Sequence, residues 1–129
     1  MALFAAGTPA QASKLPKFGQ YPAKIEAARV KTIDFKHNPD AKAYRTRLSA
    51  ALRRGVNFAG HYIITGWGCG TGCTNAVIIE GRSGDVIWPS EFTNIDASYG
   101  EGYSDKQLDF RKNSRLLIIH GVPGSAEDQ

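Results

Sequence analysis

Apolar residues recur at helical spacing in one part of the chain. Ala41, Tyr44, Leu48, Ala51 and Leu52 fall on one face of the segment 38–55, which predicts an amphipathic helix. Its ends carry their own signals. Asn38 is placed to cap the free amides, Pro39 suits the first helical position, and Asp40 complements the positive end of the helix dipole. Arg53 and Arg54 stand in the last turn, with Gly55 as the C-terminal cap. A helix of this kind needs a flat apolar surface to cover.

Strand patterns supply that surface. Residues 60–67 are rich in aromatic and β-branched types, with His61, Tyr62, Ile63, Ile64 and Thr65, and residues 75–80 include Val77, Ile78 and Ile79. Gly81-Arg82-Ser83-Gly84 reads as a hairpin turn, after which residues 85–88 return before Pro89 ends the strand. Residues 108–110 and 115–120 predict a second hairpin around Lys112-Asn113-Ser114. A weaker alternation over residues 30–35 predicts a short strand, and the polar stretch 93–104 a long loop. One helix followed by successive hairpins gives an α+β fold: a single domain over residues 23–129, mainly antiparallel sheet, with one amphipathic helix packed on one face.

Composition changes this picture little. A chain of 129 residues fits one domain, and 42% hydrophobic with 22% charged residues is ordinary globular usage, so disorder is not the default. The net charge of +4 is mildly basic. Its one cluster, Lys42, Arg45, Arg47, Arg53 and Arg54, reads first as a solvated helix face and second as a contact surface for an acidic partner or an anionic polymer. Nucleic acid is not the expected partner, because such binders concentrate more charge and set aromatic residues among it.

The first twelve residues, MALFAAGTPAQA, carry the marks of a secretory signal remnant. Residues 3–6 are apolar, Pro9 breaks the run, and Ala10-Gln11-Ala12 has the small-x-small form of a cleavage site. No positive region precedes the short apolar stretch, so either the natural precursor is expected to begin further upstream or the start codon is misplaced. Residues 13–22, with two prolines and a glycine, read as a flexible arm, and no later apolar run reaches the length of a membrane span. The expected location is the periplasm or the exterior.

Cys69 and Cys73 fit that compartment, where an even cysteine count favours a disulfide. In an extended chain their Cα atoms would stand roughly 13 Å apart, beyond the limit of about 7 Å for a bridge. A tight turn is therefore required, and Gly70 and Gly72 permit one. A redox-active pair and a metal-ligand pair, the latter completed by His61 and His120, are the alternatives.

The segments Asn57-Phe58-Ala59-Gly60-His61-Tyr62, Trp67-Gly68-Cys69-Gly70-Thr71-Gly72-Cys73 and Gly84-Asp85-Val86, with the later Ser114-Arg115-Leu116-Leu117, carry a resemblance. They are similar to a family of small exported bacterial proteins of unknown function, over most of residues 34–121. The resemblance implies a fold and a compartment but no reaction. It also implies a further strand pair beyond the present C-terminus. Lacking it, this chain is expected to leave a sheet edge exposed, open to self-association.

Candidate chemistry is sparse. His61 and His120 are the candidate general bases, His120 the less informative of the two. Ser90, Thr65 or Thr71 could serve as the hydroxyl, and Glu91, Asp85 or Asp96 as the orienting carboxylate. No nucleophile elbow, zinc-protease motif or phosphate loop is present, and neither a metal nor a cofactor is expected. Trp67, between glycines in a clamped loop, suits an aromatic anchor, with core packing as its other role, whereas Trp88 reads as core. The binding candidates are Trp67, Thr71 and His61. The expected function is a noncatalytic domain that binds a protein or cell-envelope component, in the manner of an inhibitor or immunity protein. The rival is a thiol- or metal-dependent enzyme that uses His61 with the cysteine loop.

Overall fold

The computed structural model describes residues 3–6, 16–70, 73–93, 95–96 and 108–120. Three layers build it. The central layer is a sheet of strands β2 (Tyr62–Gly70), β3 (Cys73–Glu80) and β4 (Val86–Ile87), in which each strand runs antiparallel to the next, with β5 (Ile95–Asp96) pairing the far end of β3. Helix α1 (Arg45–Arg54) lies over β2 on one side. On the other side packs a second sheet, β1 (Leu3–Ala6), β7 (Leu116–Ile119) and β6 (Leu108–Phe110), ordered β1-β7-β6.

Alternation along the central strands divides the core in two. Ile63, Val77, Ile79 and Val86 turn toward Leu48, Ala51 and Leu52 of α1, together with Ile33 and Ala41. Ile64, Ala76 and Ile78 turn the other way, toward Leu117 and Ile119 of β7 and the buried rings of Phe58 and Phe92. A strand covered on both faces reads as an unbroken apolar run, which is the pattern of Ala76-Val77-Ile78-Ile79. The α+β class and the helix-covered sheet are as the sequence predicts. The second layer is a finding of the structure.

The helix differs from expectation at its start. Pro39–Tyr44 is a 3-10 segment, with the Ala41 N–H donating to the Asn38 carbonyl at 3.0 Å, and α-geometry begins only at Arg45. Asn38 makes no side-chain cap. Its Nδ2 donates instead to the Asp34 carbonyl at 2.8 Å and to Asp85 Oδ1 at 3.1 Å, while its Oδ1 accepts from the Val86 N–H at 3.3 Å. The residue fastens the helix start to β4. At the other end Gly55 has a φ of 95°, and its N–H reaches the Ala51 and Leu52 carbonyls as a C-cap should.

Residues 30–35 form no strand. The N–H groups of Arg29 and Val30 donate to the Gly81 carbonyl and that of Asp34 to Gly84, so the segment lies on the 81–84 turn and pairs with no neighbouring strand. Ile33 is buried in the core there, with Val30 and Phe35 packed partly buried against it. The expected long loop 93–104 contains β5, and its residues 94 and 97–104 lie outside the described residues, as do Thr71, Gly72 and residues 121–129.

Residues 18–23, expected within or beside a flexible arm, are fastened to the 111–115 turn. Ser114 Oγ donates to the Phe18 carbonyl at 2.7 Å, the Arg115 N–H to Tyr21 at 2.7 Å, and the Ala23 N–H to Asn113 at 2.9 Å. The Arg111 guanidinium stands 4.3 Å from the centre of the Phe18 ring. β1 runs parallel to β7, with Leu3 opposite Leu116 and Ala6 opposite Ile119. One edge of β7, which would otherwise offer a row of bare peptide groups, is thereby paired. Removing residues 1–12 is expected to open that edge and produce concentration-dependent dimers in sedimentation velocity. A deletion variant that stays monomeric at every concentration would contradict this.

Candidate interaction surface

The central hairpin carries a different set of candidate residues at each end. At the far end, β2 and β3 converge on the disulfide. Gly68 pairs Thr74 and Gly70 pairs Cys73, and the irregularity between Gly68 and Gly70 lets the strands close into the turn. Cys69 and Cys73 are bonded, their Cα atoms 5.1 Å apart, within the range a bridge demands. Joined to each other, the two sulfurs are neither a free thiol pair nor metal ligands. A ring this small contributes about 2 kcal/mol at most by restricting the unfolded chain. Replacing both by serine is therefore expected to lower the urea midpoint slightly and to loosen the hairpin end, read as faster amide exchange at residues 66–75. A collapse of the whole fold would contradict a purely local clamp.

Next to the clamp lies an aromatic cluster. Trp67 shares the helix-facing side of β2 with Ile63 and packs half-buried against that core. Tyr44, at the junction between the 3-10 turn and α1, stacks on Trp67 with ring centres 4.7 Å apart and planes at 28°. Tyr44 also meets Trp88, with ring centres 5.7 Å apart. Trp88 follows β4 and is 42% exposed, so it is not a core residue as the sequence suggested. Arg47, one turn along from Tyr44, holds its guanidinium 5.6 Å from the Trp67 ring centre, and Arg45 stands 4.7 Å from that of Phe35. Each such cation–ring contact at an exposed site is worth about 0.5–1 kcal/mol, enough to orient the arginines but not to hide them. Within α1, Arg45, Arg47, Arg53 and Arg54 are all exposed, and none has a carboxylate partner among the described residues. The result is a rigid, partly exposed aromatic patch bordered by unneutralised positive charge.

The opposite end of the hairpin holds His61. Its Nδ1 lies 2.9 Å from Glu80 Oε1, the same oxygen that accepts the Arg82 N–H at 2.9 Å. The ring lies 4.1 Å from that of Tyr62, and the side chain is 19% exposed. Burial, reinforced by the charge of Glu80, pushes the Tyr62 hydroxyl above its ordinary pKa. Arg82 in turn pairs with Glu26, which also accepts from Arg29 at 3.3 Å. Six residue steps separate His61 from Trp67, roughly 20 Å at strand rise, so the structure does not bring His61 to the cysteine loop. His120 is exposed at the end of β7. Among the described residues no group of three or more His, Cys, Asp or Glu side chains is arranged to hold a metal ion.

The remaining polar candidates have local duties. Asp85 accepts from Asn38 and from Ser83 Oγ in the hairpin turn, and Ser90 Oγ donates to Glu91 at 2.9 Å. The hydrogen bond from Arg82, then its charge, holds the Glu26 carboxyl below its usual pKa. A depressed carboxylate stabilises the fold above its unfolded pKa, and the contribution is lost as pH falls through the folded value. Acidification below about pH 4.5, the ordinary value for this group, is thus expected to lower the urea midpoint of the wild type more than that of Glu26→Gln. Parallel pH profiles of the two proteins would rule the tie out as a stabilising contact.

Sequence reasoning singled out Trp67 but missed its partners. Tyr44 was taken up in the apolar face of the helix and Trp88 in the core, and Glu80 drew no attention as the partner of His61. The spacing of Tyr44 and Arg47 on one helix face was the available signal. No known protein family, curated protein or solved structure matches this chain, so the reading of the site rests on its own geometry.

Proposed function

We propose that this chain is an exported, noncatalytic binding domain. It docks on a protein or cell-envelope component through the surface formed by Trp67, Tyr44, Trp88 and the arginines of α1, in the manner of a periplasmic inhibitor or immunity protein. The observation that carries the reading is the stack itself. The Tyr44 ring contacts two tryptophans, one half-buried and the other exposed. Large aromatic rings and arginines at a rigid, partly desolvated site are the residues that dominate binding energy at interfaces. The fixed disulfide lowers the ordering cost of engaging a partner there, and it favours an oxidising compartment. Among the described residues no helix is long and apolar enough to cross a membrane.

The rival enzyme is less well supported. A thiol or zinc mechanism needs the sulfurs of Cys69 and Cys73 free, and they are joined. His61, oriented by Glu80, lies at the other end of the hairpin.

The test uses the full chain as bait in periplasmic extract, beside Trp88→Ala. Truncating an exposed anchor is expected to weaken capture about tenfold or more while leaving the melting temperature nearly unchanged. The double serine variant at 69 and 73 should retain a weakened interaction. Equal capture by wild type and Trp88→Ala would remove this surface from the function.

A further inference from the structure

The peptide groups along the outer edge of β2 are not all treated alike. The Tyr62 N–H donates to the Phe58 carbonyl at 2.9 Å, and its carbonyl accepts from the N–H groups of Asn57 and Phe58 at 3.0 Å. Two residues on, the Asn57 side chain copies a neighbouring strand. Its Oδ1 accepts from the Ile64 N–H at 2.8 Å and its Nδ2 donates to the Ile64 carbonyl at 2.9 Å. Alternation in an antiparallel ladder then turns the peptide groups of Gly66 and Gly68 to the same outer side, since Thr65 and Trp67 face β3. No described backbone group or side chain outside the β2–β3 hairpin bonds them. Both are glycines, and a Cβ at Gly68 would meet nothing closer than 4.0 Å. The edge is therefore closed by its own corner as far as Ile64 and, among the described residues, unpaired beyond it.

We infer that Gly66 and Gly68 form a strand-addition site for an extended acidic segment of the partner protein. Main-chain bonds to such an edge supply affinity without demanding a sequence, and the alternating side chains of the added strand supply selectivity. Those on the helix-facing side would meet Trp67 and, above it, the guanidinium of Arg47. The helix residues Arg45, Arg47, Arg53 and Arg54 have no carboxylate partner among the described residues, which calls for glutamate or aspartate in the incoming strand. A second copy of this chain fits less well, because pairing two such edges would bring like-charged helices together. This inference rests on the binding role proposed above and adds its mode: backbone pairing at the edge beside the aromatic patch.

The probe is a short synthetic peptide of alternating glutamate and valine, with a lysine–valine peptide of equal length as its counterpart. Amide exchange of the full chain is followed residue by residue. The acidic peptide is expected to slow exchange at Gly66 and Gly68 about tenfold, with little change at Ile64, whose N–H is already bonded. Gly68→Pro removes the outward donor and should abolish the protection. Gly68→Ala keeps the donor in open space and should retain it. Should the proline variant melt early, Arg47→Glu provides the second arm, expected to reverse the preference from the glutamate to the lysine peptide. Two results overturn the inference: equal protection by both peptides, or protection that rises with protein concentration alone, which would assign the edge to a second copy. If Trp88→Ala abolishes partner capture while Gly68→Pro leaves it intact, the edge inference fails and the binding reading stands. If neither variant affects capture, both fail.

Discussion

Replacing Phe58 by alanine is expected to lower folding stability by about 3–5 kcal/mol. Its ring is fully buried and lies between the two sheets, 6.0 Å from the ring of Phe110 at a steep angle and 6.3 Å from that of Tyr62. Ile64, Ala76, Ile78, Leu117 and Ile119 belong to the same buried cluster. Truncation would remove the apolar contact and leave a cavity walled by strands on both sides, which cannot collapse inward without breaking their ladders. Urea unfolding of the purified variant measures the loss. A change below about 1 kcal/mol would mean that the second sheet contributes little to the core.

Gly60→Ala is expected to cost a comparable amount, about 3 kcal/mol, for a different reason. Gly60 has a φ of 86°, which side chains resist, and an added Cβ would lie 2.1 Å from the carbonyl oxygen of Lys24. That oxygen is backbone and cannot swing aside. Its neighbours are fixed as well: the Gly60 N–H donates to Lys112 at 2.8 Å, and its carbonyl accepts from the Glu26 N–H at 2.7 Å. Gly55 is the control. It also has a positive φ, yet nothing lies within 4 Å of its Cβ position. Gly55→Ala should therefore show the conformational penalty alone, about 1 kcal/mol. Thermal melts of the two variants separate steric clash from backbone strain. Equal losses would mean that the close approach to Lys24 is relieved by movement.

Both predictions concern one corner, and that corner gives the wording of residues 57–62 a structural explanation. Asn57 seals the β2 edge at Ile64, Phe58 fills the space between the sheets, and Ala59 and Gly60 turn the chain with positive φ. His61 ties to Glu80, and Tyr62 opens the strand. The amides of Ala59 and Gly60 reach the 111–114 turn of the second sheet. A distinctive sequence string can thus be accounted for by architecture.

The helix, the central hairpin, its 81–84 turn, the second hairpin and the disulfide were legible because each depends on local rules. Periodicity, turn glycines and cysteine spacing act over a few residues. What was not legible depended on distant partners. Asn38 looked like a cap but serves β4, since Asp85 and Val86 arrive only in the folded chain. Residues 30–35 alternate weakly and lose strand pairing to the 81–84 turn. The second layer left a trace that could have been read: the runs Ala76-Val77-Ile78-Ile79 and Leu116-Leu117-Ile118-Ile119 are apolar at every position, as strands covered on both faces must be. At the candidate site Trp67 was legible from its glycine-flanked setting. Trp88 was not, because its exposure and its contact with Tyr44 follow from tertiary placement.

The claim on which the functional account turns is that the surface around Trp88 meets a partner. A photo-reactive phenylalanine analogue at position 88 probes it directly, with the same group at position 25 as reference. Ile25 is an apolar residue of similar exposure, 49% against 42%, and lies outside the aromatic cluster. Irradiation in intact cells is expected to give a discrete cross-linked species from position 88 and none from position 25. Cross-links from position 25 alone, or from neither position while the chain is still retained by a partner, would place the contact elsewhere and contradict the account.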